Sequence, residues 1–238
     1  ALIPGYGGRT PMTVIETKSV QKCYQVGSNS VHAVDGIDLA IDEGEFVCIS
    51  GRSGSGKSTL LSLLAGLESP TDGEVILMGE HLETMNEKER GRFRRENIGF
   101  VFQAYNLLPQ FNAWENVAVP LEIRGIPLQE RRQMAMEALE MVGLSDHAEH
   151  RPAELSGGQQ QRISIARAII TRPGIVFADE PTGNLDTRTG TEIMDLLTGL
   201  FRRWGTTFLL VSHDEDMNRY TDREIRLKDG KIEKFVAM

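Results

Sequence analysis

The stretch Gly51-Arg52-Ser53-Gly54-Ser55-Gly56-Lys57-Ser58-Thr59 sets glycines, hydroxyls and one lysine at the spacing of a phosphate cradle. Such glycines let backbone N–H groups turn inward around phosphate oxygens, and a helix starting at the loop adds the positive end of its dipole. In this pattern Lys57 reaches the β- and γ-phosphates, and the Ser58 hydroxyl ligates Mg²⁺. A chance glycine loop between strand and helix would lack the Lys-Ser pair. The second stretch, Leu155-Ser156-Gly157-Gly158-Gln159-Gln160-Gln161-Arg162, is built differently. Ser156-Gly157-Gly158 opens a helix, so its N–H groups and dipole make another anion site. One glycine loop suggests a nucleotide; two of different design suggest a nucleotide gripped from two sides. If the second loop of one copy met the first loop of another, the γ-phosphate of ATP would bridge them. ATP would then stabilise a dimer and hydrolysis would release it. A plain capping turn explains Ser-Gly-Gly, but not the Gln-Gln-Gln-Arg that follows.

Groups able to work on that phosphate lie between and beyond the loops. Asp179 suits a Mg²⁺-organising carboxylate, and Glu180 is placed to polarise an attacking water as a general base. Two acids capping the turn before Pro181 are the structural alternative. Gln103 could touch Mg²⁺ or the water, and His213 the γ-phosphate. Taken singly, each is an ordinary surface or structural residue; what raises them is their place at the ends of apolar runs. Tyr24 ends a possible strand from Val14 to Tyr24. It either stacks on adenine through its π-face or is a half-buried strand tyrosine.

The elements that must position these groups alternate. Phe46-Val47-Cys48-Ile49 runs into the first loop, and Ile98-Gly99-Phe100-Val101-Phe102 ends at Gln103. Ile175-Val176-Phe177-Ala178 ends at Asp179-Glu180, and Phe208-Leu209-Leu210-Val211 leads through Ser212 to His213. Continuous apolar runs suit strands buried on both faces of a largely parallel α/β sheet, where ligands collect outside the carboxyl ends. Helices are predicted from Thr59 to Ala65, with Gly66 as a C-terminal cap, from Gln129 to Val142, and from Ser156 to about Thr171. The methionines of the middle helix read as core filler. The span from about Ala104 to Arg167 shows no convincing strand and reads as a helical subdomain inserted into the sheet domain. The charged run from Glu87 to Arg95 reads as a solvated helix face.

Composition narrows the function classes. The chain has 238 residues, 40% of them hydrophobic, and a formal net charge of −8. That size supports a full core, and the acidic balance argues against a general nucleic-acid binder. Two cysteines, Cys23 and Cys48, are too few for a four-ligand zinc site or a disulfide framework and suit a reducing cytosol. No apolar run approaches the ~20 residues needed to cross a bilayer, so any membrane connection must come through a partner. Residues 1–11 lack a secretory pattern and read as a flexible lead-in or tag, with the domain from residue 12 to 238 and Met12 a possible natural start.

With these residues assembled, the chain resembles the nucleotide-binding subunit of an ATP-binding cassette (ABC) transporter from about Val14 to Val236. Leu155 to Arg162 resembles the family signature; Gln103, Asp179, Glu180, Asp186 and His213 fall at the Q-loop, Walker B, catalytic-glutamate, D-loop and H-loop positions. The wording Arg95-Glu96-Asn97-Ile98-Gly99-Phe100-Val101-Phe102-Gln103, Asn106-Leu107-Leu108-Pro109, Glu115-Asn116-Val117 and Asp179-Glu180-Pro181-Thr182-Gly183-Asn184-Leu185-Asp186 is most similar to the lipoprotein-releasing and macrolide-efflux group (LolD/MacB type). The cell-division ATPase FtsE shares much of it. The resemblance implies a P-loop NTPase (RecA-like) core, an antiparallel β subdomain and an inserted helical subdomain. It also implies ATP and Mg²⁺ as ligands and a head-to-tail dimer of two copies. A permease of the FtsX/MacB type would hold it at the cytoplasmic face of the inner membrane. Tyr105 to Glu115 would form part of the groove that receives a short permease helix, with Tyr105, Phe111 and Trp114 exposed on it or packed into the subdomain. A soluble ABC-type ATPase of DNA repair or translation is the competing reading. Single copies of each motif, two cysteines and no sustained heptads speak against it. An FtsE-like regulatory ATPase would carry the same cassette.

Overall fold

A computed structural model describes residues 12–27 and 29–237; the expected lead-in over residues 1–11 lies outside the described residues. In chain order the strands are β1 (Thr13–Val26), β2 (Asn29–Asp42), β3 (Phe46–Ser50), β4 (Asp72–Leu77), β5 (Glu80–His81), β6 (Ile98–Val101), β7 (Ile175–Asp179), β8 (Thr207–Ser212), β9 (Arg223–Lys228) and β10 (Lys231–Ala237). The helices are α1 (Lys57–Leu64), α2 (Glu87–Asn97), α3 (Ala113–Ile123), α4 (Leu128–Met141), α5 (Gly157–Ile169) and α6 (Thr187–Trp204). Two sheets result. A six-stranded sheet runs β10-β9-β3-β8-β7-β6, parallel except for β10, and a four-stranded antiparallel sheet runs β2-β1-β4-β5.

The four apolar runs become β3, β6, β7 and β8, and their continuous character follows from having a core on each face. Successive strand residues point to opposite sides. Thus Phe46, Cys48, Val176, Ala178, Phe208 and Leu210 pack toward α3–α6, while Val47, Ile49, Ile175, Phe177, Leu209 and Val211 pack toward α1 and the antiparallel sheet. Full burial of one such large side chain contributes roughly 1.5–3 kcal/mol, so no position in these strands is spare.

Between β6 and β7 the described chain holds α3, α4, α5 and short 3-10 turns, with no strand. Asn112 starts α3 with a capping box: its side chain accepts the Glu115 N–H, and the Glu115 carboxylate accepts the Asn112 N–H. α2 buries none of its residues, as a solvated charged face should. The sequence reading did not single out β2, β4, β5, β9, β10, α3 or α6. β2 and β4 belong to the antiparallel sheet, where polar residues interrupt the apolar run, and α6 is a long amphipathic helix on the sheet. One expectation is corrected: Met141 is 42% exposed at the end of α4, not core filler, while Ala135, Ala138 and Leu139 face inward.

Candidate functional site

Parallel pairing brings four carboxyl-terminal strand ends to one edge, with Ser50 of β3 opposite Ser212 of β8, and Asp179 of β7 opposite Val211. Gly51–Lys57 leaves β3 there, Glu180 leaves β7, His213 leaves β8, and Gln103 follows β6. This edge is where an α/β sheet collects ligands.

The loop from Gly51 to Gly56 depends on backbone that L side chains avoid. Gly51, Gly54 and Gly56 have φ of 150°, 79° and 99°, and a β-carbon on Gly56 would lie 2.1 Å from the Ala33 carbonyl oxygen. Gly56 ends the loop as the N-cap of α1 with no side-chain cap, leaving the first-turn N–H groups directed at the loop. Lys57 is buried, and its Nζ donates to the carbonyls of Gly51 at 2.8 Å and Arg52 at 3.0 Å. The Ser55 hydroxyl is buried with no hydrogen-bond partner among the described residues. Gly51, Ser53, Gly54 and Ser55 line a cavity of about 640 Å³ together with His213 and the β9–β10 turn. An orphaned hydroxyl, inward N–H groups and a buried ammonium are the donor set a polyphosphate needs.

Beside this loop the Ser58 hydroxyl donates to Asp179 Oδ1 at 3.2 Å. Burial pushes the Asp179 carboxyl above its ordinary value; the Ser58 hydrogen bond works against that shift and the neighbouring Glu180 charge adds to it. These two hard oxygens fit Mg²⁺. Glu180 sits in left-handed backbone, φ 43°, with its N–H donated to the Val211 carbonyl at 3.0 Å. His213 Nδ1 lies 3.0 Å from Glu180 Oε1. Gln103 reaches the same place: a β-carbon on Gly183 would fall 2.9 Å from Gln103 Nε2 and 3.2 Å from Glu180 Oε2. The Gln103 carbonyl also accepts from Asn184 Nδ2 at 3.0 Å.

Tyr24 is a half-buried β1 residue whose hydroxyl donates to Glu68 at 2.7 Å, with the Thr59 hydroxyl beside it. Lys22 Nζ lies 5.2 Å from its ring centroid. The ring is thus a half-buried strand residue fixed next to the start of α1.

The second glycine element stands apart. Ser156 is the extended N-cap of α5; its hydroxyl accepts the Gln159 N–H at 3.3 Å, and Gln159 Oε1 accepts the Ser156 N–H at 2.9 Å. A β-carbon on Gly157 would meet Tyr105 Oη at 2.9 Å, and one on Gly158 the Thr189 methyl at 2.6 Å. Asp186 caps α6, accepting the Thr189 N–H at 3.0 Å and its hydroxyl at 2.7 Å. Among the described residues, the hydrogen bonds and close contacts of Ser156, Gly157, Gly158, Gln159 and Asp186 run to one another and to Tyr105, His147, Leu185 and Thr189, and not to the first loop, Asp179, Glu180 or His213. Within one chain the structure therefore joins Lys57, Ser58, Asp179, Glu180, His213 and Gln103, and keeps the signature turn elsewhere.

Several residues escaped the sequence reading. Glu224, 2% exposed on β9, accepts from the Ser50 hydroxyl and from Arg226 at 3.0 Å, locking the last residue before the loop. Burial opposes ionisation there, but the Ser50 and Arg226 hydrogen bonds hold the carboxyl below its usual value. Gln161 is fully buried on α5 and donates to the Pro181 carbonyl at 2.7 Å, next to Glu180. A charged or amide residue inside an apolar strand or helix face was the available signal for both. The aromatics expected on a groove are half-buried: Trp114 packs on the helical core beneath Arg132, and Tyr105 on Gly157. A groove of about 360 Å³ instead runs past Leu67, Arg95, Phe100, Pro120, Ile123 and Arg167. A more voluminous one, about 830 Å³, covers the outer face of α4 and includes none of the phosphate-handling residues. Among the described residues no helix is long and apolar enough to cross a membrane. Cys48 is buried and its thiol pushed up to about 12, so it is chemically quiet.

Comparison with known proteins agrees with this geometry. A family profile described as "ABC transporter" matches residues 34–183. The lipoprotein-releasing system ATP-binding protein LolD of Pseudomonas fluorescens is 48% identical over 219 residues, 92% of this chain and 96% of that protein. Two dimeric structures of the ATP-binding cassette MJ0796 superpose with TM-scores of 0.88 at 43% and 44% identity, each covering 94% of this chain and 98% of that one. One of them is a post-hydrolysis state bound to ADP and Pi.

Proposed function

The chain belongs to the ABC transporter family, as an ATP-binding and ATP-hydrolysing subunit, and from that premise we propose that two copies work head to tail on a membrane permease. The observation that carries this is the separation of the two phosphate elements. The first loop and the hydrolytic groups share one sheet edge and bond to one another, while Ser156 caps α5 and bonds only within its own turn, so in this reading a γ-phosphate meets both when a second copy supplies the turn. The MJ0796 cassette, solved as a dimer, supports the same arrangement.

In this reading the Gly51–Gly56 amides wrap the phosphates, and Lys57 exchanges its carbonyl partners for β- and γ-phosphate oxygens. Ser58 and Asp179, with Gln103, would hold Mg²⁺, which supplies charge neutralisation of the phosphates when bound. Glu180 takes a proton from the attacking water as its oxygen bonds to the γ-phosphorus and the bond to the ADP oxygen breaks. His213, held on Glu180 Oε1, contacts the γ-phosphate, and Tyr24 stacks on adenine. The Ser156 hydroxyl uses its lone pair for the Gln159 N–H and keeps its own proton to donate to the partner copy's phosphate.

The permease segment docks in the Leu67–Ile123 groove, where apolar walls are rimmed by Arg95 and Arg167 and favour an amphipathic acidic helix. Residues 104–167 act as the helical subdomain of a domain running from residue 12 to 238. Likeness to LolD supports a place at the cytoplasmic face of the inner membrane with a permease of the FtsX/MacB type, in lipoprotein, peptide or drug export or extraction. Glu180→Gln tests the core of this. It should bind ATP, lose at least about a hundredfold in turnover and accumulate as a dimer with ATP. Near wild-type hydrolysis would remove Glu180 as the base, and an ATP-loaded monomer would remove the composite site.

A further inference from the structure

The segment from Gln103 to Asn106 touches three separate parts of the molecule. Gln103 flanks Gly183 together with Glu180, and two residues later the Tyr105 ring abuts the signature turn, with Oη 2.9 Å from where a Gly157 β-carbon would be. Tyr105 and Asn106 both hold left-handed backbone, φ 58° and 50°. That conformation is unfavourable for residues with a β-carbon, and two in succession need an external hold. One side chain supplies it. Arg167 of α5 donates through Nη2 to the Tyr105 carbonyl and through Nη1 to the Asn106 carbonyl, each at 2.6 Å. The same side chain lines the groove beside Leu67, Pro120 and Ile123.

We propose that Arg167 is a positioning residue: a clamp that keeps the Tyr105–Asn106 pair strained so that the Tyr105 ring braces the Ser156 turn. A segment seated in the groove then reaches the signature turn by drawing on the same guanidinium. The proposal rests on the dimer reading above, because the braced turn serves the nucleotide of the other copy. A planar fork satisfies two carbonyls at once and holds them in one orientation; an ammonium at the same place cannot. An acidic side chain on the docked segment competes for the fork, lets the backbone relax and shifts the ring off Gly157.

The test is ATP-dependent dimerisation in the Glu180→Gln background, followed by sedimentation. Arg167→Met should weaken dimerisation on the order of tenfold through loss of two charge-assisted hydrogen bonds, while single copies keep their affinity for a fluorescent ADP. Arg167→Lys should recover only part. Asn106→Gly makes the left-handed conformation accessible without the clamp, so adding it to Arg167→Met should restore most of the lost dimer. Wild-type dimerisation by Arg167→Met, or no restoration by Asn106→Gly, overturns the proposal. Should Arg167→Met fail to fold, Arg167→Lys carries the same comparison, and dimerisation indistinguishable from the parent overturns it. Absence of a dimer with Arg167 intact would instead remove the dimer reading itself.

Discussion

The two glycine-rich elements hold the same residue for opposite reasons. In the first loop glycine supplies conformation: Gly51, Gly54 and Gly56 all have positive φ, and the loop delivers an uncapped helix start to the cavity. In the second, Gly157 and Gly158 are helical, and what they supply is space, for Tyr105 and the Thr189 methyl. The first element keeps the Ser55 hydroxyl and the uncapped start of α1 for a ligand, whereas the second has closed a capping box on itself. A site that binds in the monomer needs unclaimed donors; a site that meets its phosphate only across an interface must be stable alone.

Substitution at one glycine of each element separates the two roles. Gly56→Ala should have the largest effect, since the new β-carbon meets a backbone carbonyl at 2.1 Å in a φ that alanine avoids. A loss of about 3 kcal/mol or more in stability, together with loss of ADP binding by the single chain, is expected in thermal melts and nucleotide titration. Gly158→Ala should keep ADP binding and lose the ATP-dependent dimer, because its clash is with the Thr189 methyl alone. Thr189→Ser removes that methyl while keeping the hydroxyl bonded to Asp186, and should restore the dimer in the double variant. Weakened ADP binding in Gly158→Ala would mean that the elements are not separate within one chain.

Ser156→Ala is the milder version. Loss of the Gln159 cap should cost about 1 kcal/mol of stability, and loss of the hydroxyl proton should weaken the dimer without touching the affinity of single copies for ADP. Equal effects on the two affinities would contradict the assigned division of labour.

The same contrast explains what the sequence disclosed. The strand ends that carry Asp179, Glu180, His213 and Gln103 were legible because a sheet buried on both faces writes continuous apolar runs, and the polar residue ending each run stands out. The antiparallel sheet was half legible. β1 was read from Val14 to Tyr24, but its partner β2 has one solvated face, so polar residues break its pattern and hide the strand. α6 did carry a signal, since Ile193, Met194, Leu197 and Phe201 recur at helical spacing on its buried face. The contacts of the signature turn were not legible at all. Tyr105 meets Gly157 across more than fifty positions of sequence, and neither residue reveals the other, because a steric reason for glycine leaves no periodic trace. Gln161 and Arg167 share this property: their partners are backbone carbonyls, Pro181 in one case and Tyr105 and Asn106 in the other, and any residue presents a carbonyl.

The smallest expected effect concerns the carboxylates flanking the two elements. Asp179, beside the first, is raised by burial: the folded chain holds that proton more tightly than the unfolded one, so this contribution to stability falls as pH rises through the raised range. Asp186, beside the second, is lowered by the Thr189 hydroxyl and backbone, so its contribution is present above the unfolded carboxylate value and lost as pH falls through the lowered folded one. On acidification Asp179 therefore takes up its proton while the α6 cap still holds. Turnover, which needs the ionised Asp179 oxygen, should decline first, with the acid limb of kcat/KM lying above the ordinary aspartate range. Helical circular dichroism should stay constant over that interval and fall only at lower pH. If helix and turnover are lost together, acid acts by unfolding the chain and the protonation of Asp179 has no separate role.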